Sequence, residues 1–181
     1  MKILITGCHG QLGTELQKQL ADEECALGLL PERLRKATVI AVDVDELDIT
    51  DREATVTYIR RTQPDTVINC AAFTNVDGCE TNRDAAYRVN ALGPRNLALA
   101  CEKINARLIH ISTDYVFPGT ANGGVALDES ALPDPHFGLR PDQAAGRNLC
   151  AAVLPPPLYR AHGLAVQLLR QKLCQNYGQP G

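Results

Sequence analysis

Residues 2–13, KILITGCHGQLG, constrain the fold more than any other stretch. Lys2 to Thr6 is a short apolar, β-branched run that reads as a buried strand, and ELQKQL after Gly13 takes up a helical pattern. Between them stands GCHGQLG, a GxxGxxG turn. Glycines at 7, 10 and 13 let the chain turn tightly and let backbone approach a pyrophosphate, while the following helix start offers free N–H groups and a positive dipole end. A tight turn with no ligand is the simpler alternative, but the placement directly after the first strand favours a nucleotide-cofactor loop.

The rest of the chain repeats this grammar as far as about residue 135. TVIAV (38–42), TVIN (66–69) and RLIHI (107–111) read as buried strands, DREATVTYIRR (51–61) as a helix with Asp51 near its start, and residues 85–104 as a second long helix. The polar stretch DEECALGLLPERLRK (22–36) reads as a loop insertion with one helical turn. Helices alternating with apolar strands predict βαβ units, hence an α/β, doubly wound parallel sheet covered on both faces. From about residue 136 the pattern changes. FGLRPDQAAGRNLCAAVLPPPLYRAHG has three successive prolines and no defensible strand, with a short helix expected only over 164–173. The expected organisation is a dinucleotide-binding domain over 1–135 followed by an irregular, poorly ordered tail over 136–181.

Composition excludes several classes. The formal charge of -3 and pI near 5.8 supply no basic field for nucleic acid or an anionic membrane. MKILITG has no apolar signal core, and no run approaches the ~18 to 20 apolar residues that span a bilayer, which predicts a cytoplasmic protein without a membrane partner. The seven cysteines, at 8, 25, 70, 79, 101, 150 and 174, form no CxxC pair and no Cys/His ladder, so they read as free thiols in a reducing compartment, with no metal site expected.

Three further stretches carry chemistry. Asp43 ends the second main strand, where a carboxylate can accept from adenosine ribose hydroxyls; a loop or helix-capping aspartate is the alternative. No Arg or Lys follows it directly to take a 2'-phosphate, which leans towards NADH, with NADPH left open. NCAAFT (69–74) follows the next strand with residues small enough to pass close to a flat ring, although a structural turn fits equally. HISTDYVF (110–117) puts Ser112 and Thr113 at a strand end, the edge where open α/β sheets hold ligands, and a hydroxyl there can steady a developing oxyanion. An ST turn is the alternative.

Together, GCHGQLG, ELDITD (46–51), NCAAFTNVDGCE (69–80), YRVNALGPRNLA (87–98) and HISTDYVFPG (110–119) resemble the extended short-chain dehydrogenase/reductases, and more narrowly the dTDP-4-dehydrorhamnose reductase family. The resemblance implies a Rossmann-like fold, NADPH or NADH as cofactor and a nucleotide-sugar substrate, with a homodimer as the assembly to test. It implies that Gly7, Gly10, Gln11, Leu12 and Gly13 form the pyrophosphate loop, that Asp43 faces the ribose and that Asp48 and Ile49 border the adenine. By the same resemblance Ala72, Phe73 and Thr74 line the inner channel, Thr113 is the catalytic hydroxyl and Asp114 stands beside the sugar.

The family also uses a tyrosine proton donor with a lysine four residues on, since a phenol near pKa ~10 needs a nearby cation to donate at working pH. The tyrosines here, 58, 87, 115, 159 and 177, are followed at that spacing by Thr62, Ala91, Gly119, Gly163 and Gly181, so no YxxxK exists. Phe137 stands at about the tyrosine's distance from Thr113, but Pro141 then occupies the lysine's place. Reading the gene one base late from Leu139 permits YGRTKxxGE, and shifting Tyr159 to Tyr177 likewise permits IxRTAWLYSSYGKNFVKTM, again similar to the family. The expectation is a tail translated out of frame and a chain without turnover. A naturally truncated domain, a non-catalytic dinucleotide-binding or regulatory module, and a purely structural interaction domain are the alternatives.

Overall fold

The computed structural model describes residues 1–74, 81–113, 116, 141–154 and 159–162. Its main sheet contains β1 (Lys2–Thr6), β4 (Thr38–Val42), β5 (Thr66–Asn69), β6 (Arg107–Ile111) and β7 (Tyr159–His162). The strands lie in the order β4-β1-β5-β6-β7 and every pair is parallel. The sheet therefore reverses direction of growth at β1, with β4 on one side and β5 on the other. Open parallel sheets bind ligands at the carboxyl ends of the strands flanking such a switch point. The doubly wound class expected from the sequence is borne out.

Burial explains the unbroken apolar strands. Ile3, Leu4 and Ile5 point alternately to opposite faces and are all at most 2% exposed, as a sheet covered on both sides requires. On one face Leu4, Val67 and Leu108 meet Ile59 of α3 (Arg52–Thr62), Leu97, Ala98 and Cys101 of α5 (Gly93–Glu102) and Cys150 of α6 (Pro141–Val153) in one apolar cluster. Helix α3 starts where the sequence suggested: the Asp51 carboxylate accepts from the Ala54 N–H at 3.0 Å, capping its first turn. α1 (Gln11–Asp22) follows the glycine turn. The insertion after it holds more than one helical turn: β2 (Glu24–Cys25) and β3 (Gly28–Leu29) pair as a small antiparallel hairpin before the one-turn α2 (Glu32–Arg35). Two-residue strands leave no periodicity for the sequence to show.

The long helix expected over 85–104 is present with a local widening. α4 (Arg83–Tyr87) runs into a π-helical turn over Arg88–Leu92 and continues as α5. A π-turn pushes one residue out of the regular ladder, and here it turns Asn90, 2% exposed, inward.

The irregular tail expected after residue 136 is corrected in two places. Residues 141–153 form α6, packed against α5 and the π-turn, and residues 159–162 form β7 on the outer edge of β6. Pro141 is tolerated at a helix start, Ala144, Ala145, Ala151 and Ala152 favour helix, and Gly146 permits close packing: a Cβ there would lie 2.1 Å from the Asn90 carbonyl oxygen. Polar Asp142 and Gln143 on the buried face hid the amphipathic pattern from the sequence. The sheet thus retains the strand beyond β6 that the sequence reading left out. The helix expected over 164–173 lies outside the described residues.

Candidate functional site

The strand ends at the switch point enclose a cleft of about 300 Å³. Thr6, Gly7 and Gly10 form its floor, Asp43 and Val44 follow β4, Leu47 to Thr50 form one wall, and Cys70 to Phe73 with Val89 form the other. Seven of the sequence-derived positions meet here: Gly7, Gly10, Asp43, Asp48, Ile49, Ala72 and Phe73. Gln11, Leu12 and Gly13 open α1 and do not line the cleft. Thr74 and the partly buried Thr113, two residues beyond β6, also stand outside the lining. Asp114 lies outside the described residues, as do Phe137, Leu139 and Tyr115.

The glycines are required by contact as well as by conformation. Gly7 has φ +69°, and a Cβ on it would lie 2.5 Å from the Ala71 nitrogen. A Cβ on Gly13 would lie 2.3 Å from the Gly7 carbonyl oxygen, so Gly13 holds the turn from beneath. The result is a cradle of bare backbone at the start of a helix, suited to an anionic group.

Asp43 is fixed before any ligand arrives. Its carboxylate accepts from the His9 N–H at 2.8 Å and the Val44 N–H at 2.9 Å, while the Cys8 N–H donates to the Val42 carbonyl at 3.2 Å. These bonds join the glycine turn to the end of β4. The His9 N–H, opposed by partial burial, holds the Asp43 carboxyl below the usual carboxylate range, so it is charged at neutral pH with lone pairs left for hydroxyl donors. Asp48 forms its own turn by accepting from the Thr50 N–H at 2.8 Å, and the carbonyl of buried Ile49 accepts from Asn96 of α5 at 3.0 Å.

Two buried polar arrangements behind the cleft were missed in the sequence. Asn90 accepts from the Phe73 N–H at 2.8 Å, donates to the Phe73 carbonyl at 3.0 Å and donates to the Asp142 carboxylate. It thereby links the cleft wall to α6. Deeper, the Asn69 carboxamide oxygen accepts from Thr6 Oγ1 at 2.7 Å and from the Ala71 N–H at 3.2 Å, which leaves its amide nitrogen to donate to His110 Nδ1 at 3.1 Å. His110 is therefore the neutral Nε2–H tautomer. Burial, helped by the positive charge of Arg147 on α6, lowers its pKa to about 4. His110 Nε2, Ser112 Oγ and Gln143 Oε1 are buried without a protein partner among the described residues. Asn69 and Asn90 stood in quoted motifs, but a lone asparagine gives no signal of which backbone groups it will satisfy.

A sequence model of the family described as "RmlD substrate binding domain" matches residues 1–140. A dTDP-4-dehydrorhamnose reductase from Mycobacterium tuberculosis is 46% identical over 122 residues, which is 67% of this chain and 36% of that protein. The chain belongs to the dTDP-4-dehydrorhamnose reductase family. A solved reductase of the family from Clostridium acetobutylicum superposes with a TM-score of 0.76 at 36% identity, covering 94% of this chain and 59% of its own. Another, from Bacillus anthracis and solved in complex with NADP, gives a TM-score of 0.75 at 29% identity over 98% of this chain and 61% of its own. The chain thus spans between about a third and three fifths of the length of these family members. Among the described residues no helix is long and apolar enough to cross a membrane.

Proposed function

We propose that this chain is the dinucleotide-binding portion of a nucleotide-sugar reductase and binds NADPH or NADH in the switch-point cleft. The observation that carries the proposal is the meeting, at the ends of β1, β4 and β5, of a Cβ-intolerant glycine turn, a charged and pinned Asp43 and a small-residue wall. In this reading the turn and the start of α1 hold the pyrophosphate, Asp43 accepts from the adenosine ribose, and Asp48 and Ile49 border the adenine. Ala72, Phe73 and Thr74 lead towards the nicotinamide, which supplies a hydride when the cofactor is bound. The reaction served is reduction of the keto carbon of a nucleotide-linked 4-keto sugar, in line with the names of the relatives. Thr113 would steady the developing oxygen charge and Asp114 would contact the sugar.

Within these 181 residues no tyrosine–lysine pair is available to donate the proton. General acid catalysis commonly contributes ~10²- to 10⁴-fold in rate, so this chain is expected to bind cofactor without measurable turnover. The boundary near residue 135 and an out-of-frame tail belong to the same proposal. The docked α6 shows that the written residues can form a helix, so support for the shifted frame comes from the two recovered strings, YGRTKxxGE and IxRTAWLYSSYGKNFVKTM. Sequencing the coding DNA decides it: a Leu139 codon not ending in TA refutes the shift. Titration with NADPH and NADH, followed by an assay with a dTDP-4-keto-6-deoxy sugar, tests the function. Binding of either nucleotide without reduction is the expected result. Absence of binding to both overturns the cofactor reading, and robust reduction overturns the loss of turnover.

A further inference from the structure

Cys8, His9 and Asp43, the last of which lines the cleft, bring a thiol sulfur, an imidazole nitrogen and a carboxylate oxygen within 4.8 Å of one another. We propose that these three side chains form a binding site for a zinc-type divalent metal ion, and that its occupation excludes the dinucleotide. The second half of this proposal rests on the cofactor reading above; the first does not.

The geometry is near what such an ion needs. Zinc bonds of ~2.0 to 2.3 Å in tetrahedral array place ligand atoms roughly 3.3 to 3.8 Å apart. The His9 Nδ1 to Asp43 Oδ2 separation is already 3.7 Å. Closure from 4.8 Å at the widest therefore asks for a shift of about one ångström. His9, with its side chain 74% exposed, has room to rotate, and the buried Cys8 is held by its backbone bond to Val42. The bonds that tie the turn to β4 thus also fix the spacing of the three donors, although these residues are too close or too far apart in sequence to form a recognised ligand ladder.

The surroundings favour a cation. Residues 43–48, DVDELD, carry Asp43, Asp45, Glu46 and Asp48 and no basic residue, and the Glu46 carboxylate accepts from the Asp43 N–H at 2.9 Å. Burial and then the charges of Asp43 and Glu46 push the Cys8 thiol up, so metal entry must displace its proton: Cys–SH plus M²⁺ gives Cys–S–M⁺ plus H⁺. The carboxylates of Asp43 and Glu46, which add less than burial to that rise, attract a doubly charged ion. A thiolate–imidazole–carboxylate set selects zinc-like ions over magnesium or calcium, and three protein ligands leave a fourth position for water. Because metal would take up the Asp43 carboxylate, ribose hydroxyls could not use it at the same time.

The test uses the full chain after chelator treatment, with cobalt(II) as the spectroscopic probe and zinc(II) as competitor. One equivalent of cobalt should give a thiolate-to-metal charge-transfer band and tetrahedral d–d bands that zinc removes. The bands should vanish in Cys8→Ser, and the cobalt Kd should rise at least about ten-fold in His9→Ala. Absence of the bands, or their survival in Cys8→Ser, overturns the site. His9→Ala alters an exposed side chain and keeps the test decisive should Cys8→Ser fail to fold; an unchanged cobalt Kd there also overturns it. For exclusion, zinc at ten times its own Kd should raise the NADPH Kd about eleven-fold, as simple competition requires. In His9→Ala, compared with its own chelated reference, the same zinc should raise it less than two-fold. An unchanged NADPH Kd in the parent overturns exclusion. Should the metal-free chain bind no nucleotide, exclusion falls together with the cofactor reading, while the cobalt bands still decide the metal site.

Discussion

Acidification should destabilise this protein through one buried side chain before its carboxylates matter. His110 keeps its pKa near 4 in the fold against an ordinary 6.5, first because burial penalises the imidazolium and then because Arg147 repels it. Between those values the unfolded chain binds a proton that the folded chain refuses, so stability rises with pH across the window and is fully present above about 6.5. It is lost as pH falls towards 4, at ~1.4 kcal/mol per unit, for a total of about 3 kcal/mol. From pH 7 to pH 5 the loss should be about 2 kcal/mol, a large share of the ~5 to 15 kcal/mol that holds a typical domain. Protonation would also oblige Nδ1 to face the Asn69 amide with a hydrogen of its own, disrupting the bond to β5. Urea unfolding at intervals from pH 7 to pH 5 measures the effect, with His110→Gln as comparison. The variant should be less stable at pH 7, yet its profile should be flatter by roughly 1 kcal/mol per unit between pH 6 and 5. The other three histidines and all the acids are common to both chains and cancel in the difference. Parallel profiles would refute the assignment of His110 as a buried neutral imidazole.

Other perturbations test the remaining contacts. Gly13→Ala sets a Cβ 2.3 Å from the Gly7 carbonyl, so the turn must open; NADPH titration should show at least about a ten-fold weaker Kd, equal to ~1.4 kcal/mol. Gly146→Ala drives a Cβ to 2.1 Å from the Asn90 carbonyl and should cost about 1 to 3 kcal/mol in urea unfolding, with faster amide hydrogen exchange at Phe73 reporting a loosened wall. Asp51→Ala removes the cap on α3 and should cost about 1 kcal/mol, while leaving nucleotide Kd within two-fold. Asp43→Asn retains the shape of the carboxylate but not its charge, and should weaken NADH and NADPH alike by roughly ten-fold, from the lost strength of charge-assisted bonds.

The parts legible in the sequence were those carried by local chemistry. β1, β5 and β6 announced themselves as apolar runs because both faces of a parallel sheet are buried there, β4 did so although at the sheet edge only Val42 is buried, and the glycine turn stood out because a Cβ at Gly7 or Gly13 would clash with backbone. Asp51 was placed near a helix start for the reason that the structure shows it capping one. What stayed hidden depended on distant partners. Val44, Leu47, Cys70 and Val89 line the cleft only because β1, β4 and β5 stand side by side, and nothing in their immediate neighbours distinguishes them from core. α6 escaped because its buried face carries Asp142, Gln143 and Gly146, which pattern reading assigns to solvent or to a turn. Asp142 is tolerated inside because Asn90 meets it, a pairing across fifty-two positions that no window of sequence contains.

That pairing also sets an order of events during synthesis. The glycine turn, β4 and β5 leave the ribosome early and can pair at once, since N-terminal segments of a chain are free to fold while the remainder is still being made. Asn90 emerges with them, but its partner Asp142 follows some fifty residues later, after β6 is complete. Until then Phe73 is held by an asparagine that is itself not braced against α6. The wall of the cleft is thus completed only when residues 141–154 are in place, and a change at Asp142 reaches Phe73 through Asn90, in a part of the molecule translated long before.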